Sequence, residues 1–173
     1  LHGDNEDEIV LRGKRRFVNR LYAKQYFQTD TIPKESYGLY KTGIESFERF
    51  SFLERNRRLL EPRQVEIQVN SSSLNLSDLI KTSMEKSEEL DENGLISGFG
   101  MECSGTIMRK GNEVKDFNIG DHVIGFGSNC IGNYSVLESE HIFLKPSHIS
   151  FEKSATIPVA FLTAYYTLHN LAH

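Results

Sequence analysis

A mainly β domain leading into helices is the fold class predicted by this 173-residue sequence. Nine of its 13 glycines fall between Gly94 and Gly132, the spacing of short strands joined by tight turns, as in a small barrel. Val65-Glu66-Ile67-Gln68-Val69 alternates strictly, so Val65, Ile67 and Val69 are expected to face a core while Glu66 and Gln68 face water. After Pro146 the pattern becomes helical: Phe161, Ala164, Tyr165, Leu168 and Leu171 recur at three- and four-residue spacing and predict one apolar helix face.

The elements follow in order. Residues 8–26 read as two strands, with Ile9-Val10-Leu11 in the first, a turn at Gly13-Lys14, and Phe17, Val18, Leu21 and Tyr22 in the second. Six cations between Arg12 and Lys24 read as a solvated strand face. Residues 27–64 are polar and turn-rich and are expected to wrap a surface. Ser71-Ser72-Ser73 ends the alternating strand, and Ser77 and Asp78 can cap a short helix through Lys81. Glu85 to Glu92 holds five acids and one lysine, an exposed loop rather than a metal cage. Lys110–Glu113 and Asn118–Asp121 are turns; His122–Phe126 and Tyr134–Leu137 are strands. Ser150 can cap a turn through Ala155, and Pro158 suits the first position of a further helix. Three regions result: strands over 1–30, a β domain over 31–149, and helices over 150–173 that should pack on something further along. The chain stops inside an apolar helix-like run, which predicts a fragment of a longer protein.

Composition narrows the function classes. A 38% hydrophobic, 10% aromatic chain can bury a core and is not disordered throughout. A net charge of -4 and a pI near 5.9 give no basic field for nucleic acid. The longest apolar run, Ile157 to Tyr166, is far short of the roughly 20 residues of a membrane span. The acidic amino end has no signal-peptide pattern, and two cysteines, Cys103 and Cys130, are too few for a disulfide scaffold. A reducing cytoplasm is the expected compartment, with no nucleic-acid and no membrane partner.

The segment Gly98-Phe-Gly-Met-Glu-Cys-Ser-Gly105, continued by Gly111, Val114, Gly120-Asp121 and Val123, is the most informative. With Leu74-Asn-Leu-Ser-Asp-Leu-Ile80 before it and Ile157-Pro-Val-Ala-Phe-Leu-Thr-Ala-Tyr-Tyr-Thr-Leu168 after it, the sequence resembles the medium-chain dehydrogenase/reductases, and within them the enoyl reductase domains of polyketide and fatty acid synthases. Val10 to Leu21 and Val65 to Val69 share the likeness, whereas Glu85 to Glu92 looks like an insertion. The resemblance implies a GroES-like, partly open barrel forming the substrate side of a two-domain NADPH enzyme, with a Rossmann domain following. Gly98-Phe-Gly100 and Gly125-Phe-Gly127 lack the third glycine of a dinucleotide turn and read as turn glycines.

Zinc-dependent members of that family place a Cys in the segment matching Asn75 to Asp78 and a His before the residue matching Glu102. Here no Cys stands in the first segment and Met101 precedes Glu102, so no metal is expected. Without a Lewis acid, reduction of a polarised C=C bond is the simpler chemistry: hydride adds at the β-carbon, charge builds on the thioester oxygen, and a proton reaches the α-carbon. The resemblance thus implies NADPH-dependent reduction of an α,β-unsaturated acyl thioester on an acyl carrier protein, inside a synthase with further domains and a possible homodimer. These residues alone, lacking the cofactor domain, are expected not to turn over.

By resemblance, Asn75 lines the nicotinamide and substrate cleft, and it reads equally as a strand-end amide bonded to backbone. Leu76 occupies a substrate-side position that is often Tyr or Phe, which removes a phenolic proton donor. Thr163 matches the segment beside the nicotinamide; its alternative is a hydroxyl bonded within its helix. Asp78 reads as a helix cap, Glu102 and Asp121 as structural, Tyr165 and Tyr166 as core, and Cys103 and Cys130 as non-nucleophilic. Two other functions fit the same motifs: a zinc-independent quinone or enone oxidoreductase, and a non-catalytic GroES-like structural module.

Overall fold

A computed structural model describes residues 9–12, 15–18, 35–41, 50–83 and 98–172. The chain divides into two compact units, Leu1–Thr31 and Ile32–His173. The first contains an antiparallel pair, β1 (Ile9–Arg12) and β2 (Arg15–Val18), with Ile9 opposite Val18 and Arg12 opposite Arg15. Leu21, Tyr22 and Lys24 lie outside the described residues, as does the acidic run Glu85 to Glu92.

The second unit opens with β3 (Tyr37–Lys41) and β4 (Phe50–Glu54), an antiparallel pair where a turn-rich surface segment was expected. Charged residues around Phe50 and Phe52 hide the strand signal, and aromatic packing across elements supplies the stability. Tyr37 meets Phe52 edge-on at 5.4 Å, Phe50 meets Phe99 at 5.3 Å, and Tyr40 is buried.

The main sheet has five strands in the order β8-β5-β6-β7-β9, all antiparallel. They are β5 (Gln64–Ser73), β6 (Glu102–Lys110), β7 (His122–Phe126), β8 (Tyr134–Glu138) and β9 (Ile142–Leu144). The sheet does not close: β8 and β9 are its edges. One face carries the core, in which Val65, Ile67, Cys103, Ile107, Val114, Val123, Cys130, Leu137 and Ile142 pack together with the partly buried Val69. Register shifts between Glu66 and Ile67 and between Val69 and Ser71 mark bulges that bend the long β5.

Glu66 corrects the expectation from alternation. Gln68 is exposed, but Glu66 is only 1% exposed. Arg57 and Arg109 fold over it from either side, each gripping its carboxylate with two nitrogens. A period-2 pattern fixes which sheet face a residue takes and is silent about a second layer over that face.

Gly105 in β6 shows how tightly β5 and β6 are joined. A Cβ there would lie 2.1 Å from the Gln68 carbonyl oxygen and 2.6 Å from Ile67 Cγ2. Gly105→Ala is therefore expected to destabilise the domain by about 3 kcal/mol, read as a lower denaturant midpoint, because rigid backbone must move apart. An unchanged midpoint would mean that the two strands yield without cost.

The turns behave as read. Val114 N–H bonds to the Gly111 carbonyl at 3.2 Å, and the Asp121 carboxylate accepts from Asn118 N–H at 2.7 Å. The helices are α1 (Leu76–Ser83), α2 (Phe151–Ser154) and α3 (Pro158–Tyr166), the last followed by a π-helical turn, Thr167–Leu171. Ser150 caps α2 by accepting from Lys153 N–H, and Pro158 takes the first turn of α3. Tyr165 and Tyr166, expected in the core, are exposed, and so are Phe161, Ala164, Leu168 and Leu171. The helix forms as expected, but α3 carries apolar residues all round rather than on one face, and residues 160–172 are exposed.

Candidate active site

The end of β5, the start of β6 and the first turns of α1 and α3 converge on one carboxylate, Glu102. It is 2% exposed and accepts three hydrogen bonds: from the Ser73 hydroxyl, from Asn75 Nδ2 at 3.1 Å and from the Val159 backbone N–H at 2.8 Å. The third is informative. Pro158 opens α3, so Val159 presents one of the amide groups that the first helical turn leaves unpaired, and a carboxylate there suits the positive end of the helix.

The carboxylate also fixes Asn75. An ionised carboxylate only accepts, so the Asn75 amide must turn its NH2 toward Glu102, leaving its carbonyl and one N–H for another partner. The backbone of Asn75 is held as well, because its N–H donates to Asp78 Oδ2 at 2.9 Å, one half of a capping box at the head of α1. Asp78 is buried and takes on a second duty beyond capping: its Oδ1 accepts from Gly100 N–H at 2.9 Å. Gly100 adopts φ +94°, and a Cβ there would lie 2.5 Å from the Ile131 nitrogen, so the Gly98-Phe-Gly100 turn belongs to packing and not to a phosphate loop.

Thr163 stands one turn beyond Val159 on the same side of α3, about 6 Å along the axis, and is exposed. Asn75 and Thr163 are thus brought to the same end of the sheet through Glu102, although no direct contact joins them. The hydroxyl that bonds back into this helix is that of Thr167, 2.8 Å from the Thr163 carbonyl. Leu76 is 72% exposed at the start of α1 and brings no polar group. Met101 has its sulfur beside the Ser77 hydroxyl. Cys103 is buried, and its thiol is pushed well up by its hydrogen bond with Cys130 and by burial, which suits packing and not attack. Among the described residues no three His, Cys, Asp or Glu side chains gather as metal ligands.

The sequence proposes Asn75 and Thr163 by resemblance and reads Glu102 as structural, but gives no sign that Glu102 joins Ser73, Asn75 and Val159. Ser73 and Val159 carry no signal of their own, being one serine in a run and one apolar residue after a proline. Only the contact across 57 residues between Glu102 and Val159 reveals their part.

This arrangement offers an amide carbonyl, an N–H and a hydroxyl on fixed elements beside exposed apolar side chains. The described residues contain no strand–glycine turn–helix cradle for the pyrophosphate of a dinucleotide cofactor.

Comparison with known proteins identifies the family and the fold. Residues 61–158 match the alcohol dehydrogenase GroES-like domain. Probable polyketide synthase 1 of Dictyostelium discoideum is 29% identical over 172 residues, which is 96% of this chain and 5% of that protein. The crystal structure of CurK enoyl reductase superposes with a TM-score of 0.71 at 28% identity, over 80% of this chain and 44% of that one. A quinone oxidoreductase from Coxiella burnetii superposes with a TM-score of 0.67 at 25% identity, over 80% and 46%. The chain spans a small fraction of the polyketide synthase and less than half of each solved chain. With its domain matched over more than half of its length, the chain belongs to the alcohol dehydrogenase GroES-like domain family, among the medium-chain dehydrogenase/reductases.

Proposed function

We propose that this chain is the substrate side of an NADPH-dependent enoyl reductase that reduces an α,β-unsaturated acyl thioester, carried on an acyl carrier protein, in a cytoplasmic polyketide synthase. The observation that carries this reading is the likeness to CurK enoyl reductase at 28% identity over 80% of the chain. The named relatives favour a polyketide over a fatty acid synthase. In this reading residues 31–149 form the substrate-side barrel and 150–173 lead into a cofactor domain, so that the exposed face of α3 meets that domain.

NADPH supplies the hydride when bound. The chain's own residues orient and polarise. Asn75, held by Glu102, would present its carbonyl to the nicotinamide amide, and Thr163 would donate its hydroxyl to the cofactor carboxamide. The remaining Asn75 N–H faces the substrate, and one such donor aimed at a developing oxyanion is worth about 3 kcal/mol. Leu76, exposed at the start of α1, would offer the acyl chain an apolar contact and has no proton to give, so the α-carbon proton would come from water or from the cofactor domain.

The test is NADPH consumption by the protein extended about 150–200 residues beyond His173, the size of one further domain. Oxidation of NADPH with crotonyl thioester but not with a small quinone is the expected result, unchanged by EDTA. Consumption with the quinone alone favours the second reading, a zinc-independent quinone oxidoreductase, which the Coxiella burnetii likeness supports. Activity with neither would leave a structural module.

A further inference from the structure

A second polar site lies on the sheet face opposite the core, near the start of β5. Seven residues of β5 separate Glu66 there from Ser73 beside Glu102, roughly 20 Å along the strand. A cavity of about 220 Å³ opens here, bordered by Ser36, Arg55, Arg57, Glu66, Ser128 and Tyr134, with Asn56, Arg58, Asn129 and Val136 completing its wall. That is smaller than the about 300–1,000 Å³ of pockets for drug-sized ligands, and roomy for one anionic head group.

Charge distinguishes this cavity. Three arginines, Arg55, Arg57 and Arg58, line it against one carboxylate, Glu66, which Arg57 and, from outside the cavity wall, Arg109 grip. Arg57 and Arg109 each spend two nitrogens on it, and Arg57 also lies over the Tyr134 ring, 4.4 Å from its centroid. Glu66 is thereby neutralised twice over, and Arg55, anchored by one nitrogen on the Tyr134 carbonyl, adds a third positive charge. An excess of two positive charges in a concave, partly desolvated place focuses potential on whatever enters. The wall also holds hydroxyls at Ser36 and Ser128, and Asn129 sits at φ +62° with its side-chain oxygen buried and unpaired.

We propose that this pocket binds a phosphate group borne by a small ligand. Guanidinium forks match phosphate oxygens, a dianion balances the excess charge, and the serine hydroxyls add neutral donors. The site is remote from Glu102 and does not depend on the reductase reading.

The experiment is calorimetric titration of the full protein with two probes, inorganic phosphate and 4′-phosphopantetheine. Both are expected to bind, with affinity falling as salt rises from about 0.05 to 0.3 M. Arg55→Gln should weaken each about tenfold or more. Because Arg55 also anchors a backbone carbonyl, Asn56→Asp gives a second reading: an exposed residue that gains a negative charge and should weaken both probes while the fold is kept. Much tighter binding of phosphopantetheine would identify a pantetheine arm as the source, and equal binding a free phosphate. Absence of heat with either probe, or affinities unchanged in both variants, overturns the proposal.

Discussion

Glu102→Ala is expected to cost about 3 kcal/mol of stability and to remove most of the reductase activity of the extended protein. The substitution strands three donors at once: the Ser73 hydroxyl, the Asn75 amide and the Val159 N–H, in a place that water does not reach. A buried donor without a partner costs about 1–3 kcal/mol, and these three sit close enough to relax together, so the loss falls below their sum. The activity loss has a separate origin. Without the carboxylate the Asn75 amide is free to rotate and α3 loses the bond that sets its start. Glu102→Gln separates the two effects. It keeps one acceptor and can donate to Ser73, so most stability should return, while a neutral partner no longer dictates how Asn75 is turned. Unfolding midpoints together with kcat and KM for crotonyl thioester check this. Equal behaviour of Ala and Gln in both measurements would mean that the carboxylate only fills space.

Glu66→Gln is expected to lower stability by about 2 kcal/mol at neutral pH and to flatten its acid limb. Burial pushes this carboxyl up, but hydrogen bonds from Arg109 and Arg57 and their charges outweigh burial and bring it down from 4.5 to about 2. A depressed carboxyl stabilises the fold fully above its unfolded value and loses that contribution as the pH falls toward its folded one. The window is therefore pH 4.5 down to about 2. The full shift corresponds to about 3 kcal/mol, and the part-exposed guanidiniums reduce it through solvent screening. Denaturant midpoints across that window should drop steeply in the parent and less steeply in the variant. Parallel curves would assign the acid limb to other groups.

These two carboxylates show what a sequence of this kind yields. Val65 and Ile67 were legible as core because alternation is a local property of the chain. Glu66 was misread because its cover comes from Arg57, nine residues back, and Arg109, 43 residues on, and no periodicity links them. The pair β3 and β4 was hidden for a related reason: Phe50 and Phe52 stand among charged residues, and their partners Phe99 and Tyr37 are found only by folding. Turns and caps were read well at Asp121, Ser150 and Pro158, where side chain and backbone act within a few residues. At the candidate site, motif likeness proposed Asn75 and Thr163. The carboxylate that ties the first of them to α3 needed three-dimensional contact between residues 102 and 159. On α3 the helix was legible but the single apolar face was not found: apolar residues lie all round it and the side chains that the spacing marks are exposed.

Whether this fold serves an enoyl reductase is tested most directly by following the hydride. The extended protein is given crotonyl thioester and NADPH deuterated at nicotinamide C4, and the butyryl product is analysed by mass spectrometry and NMR. One deuterium at the β-carbon, with the α-carbon proton drawn from solvent, is the expected outcome. Crotonyl thioester recovered unreduced while a quinone consumes the cofactor, or deuterium found anywhere but the β-carbon, would contradict the account.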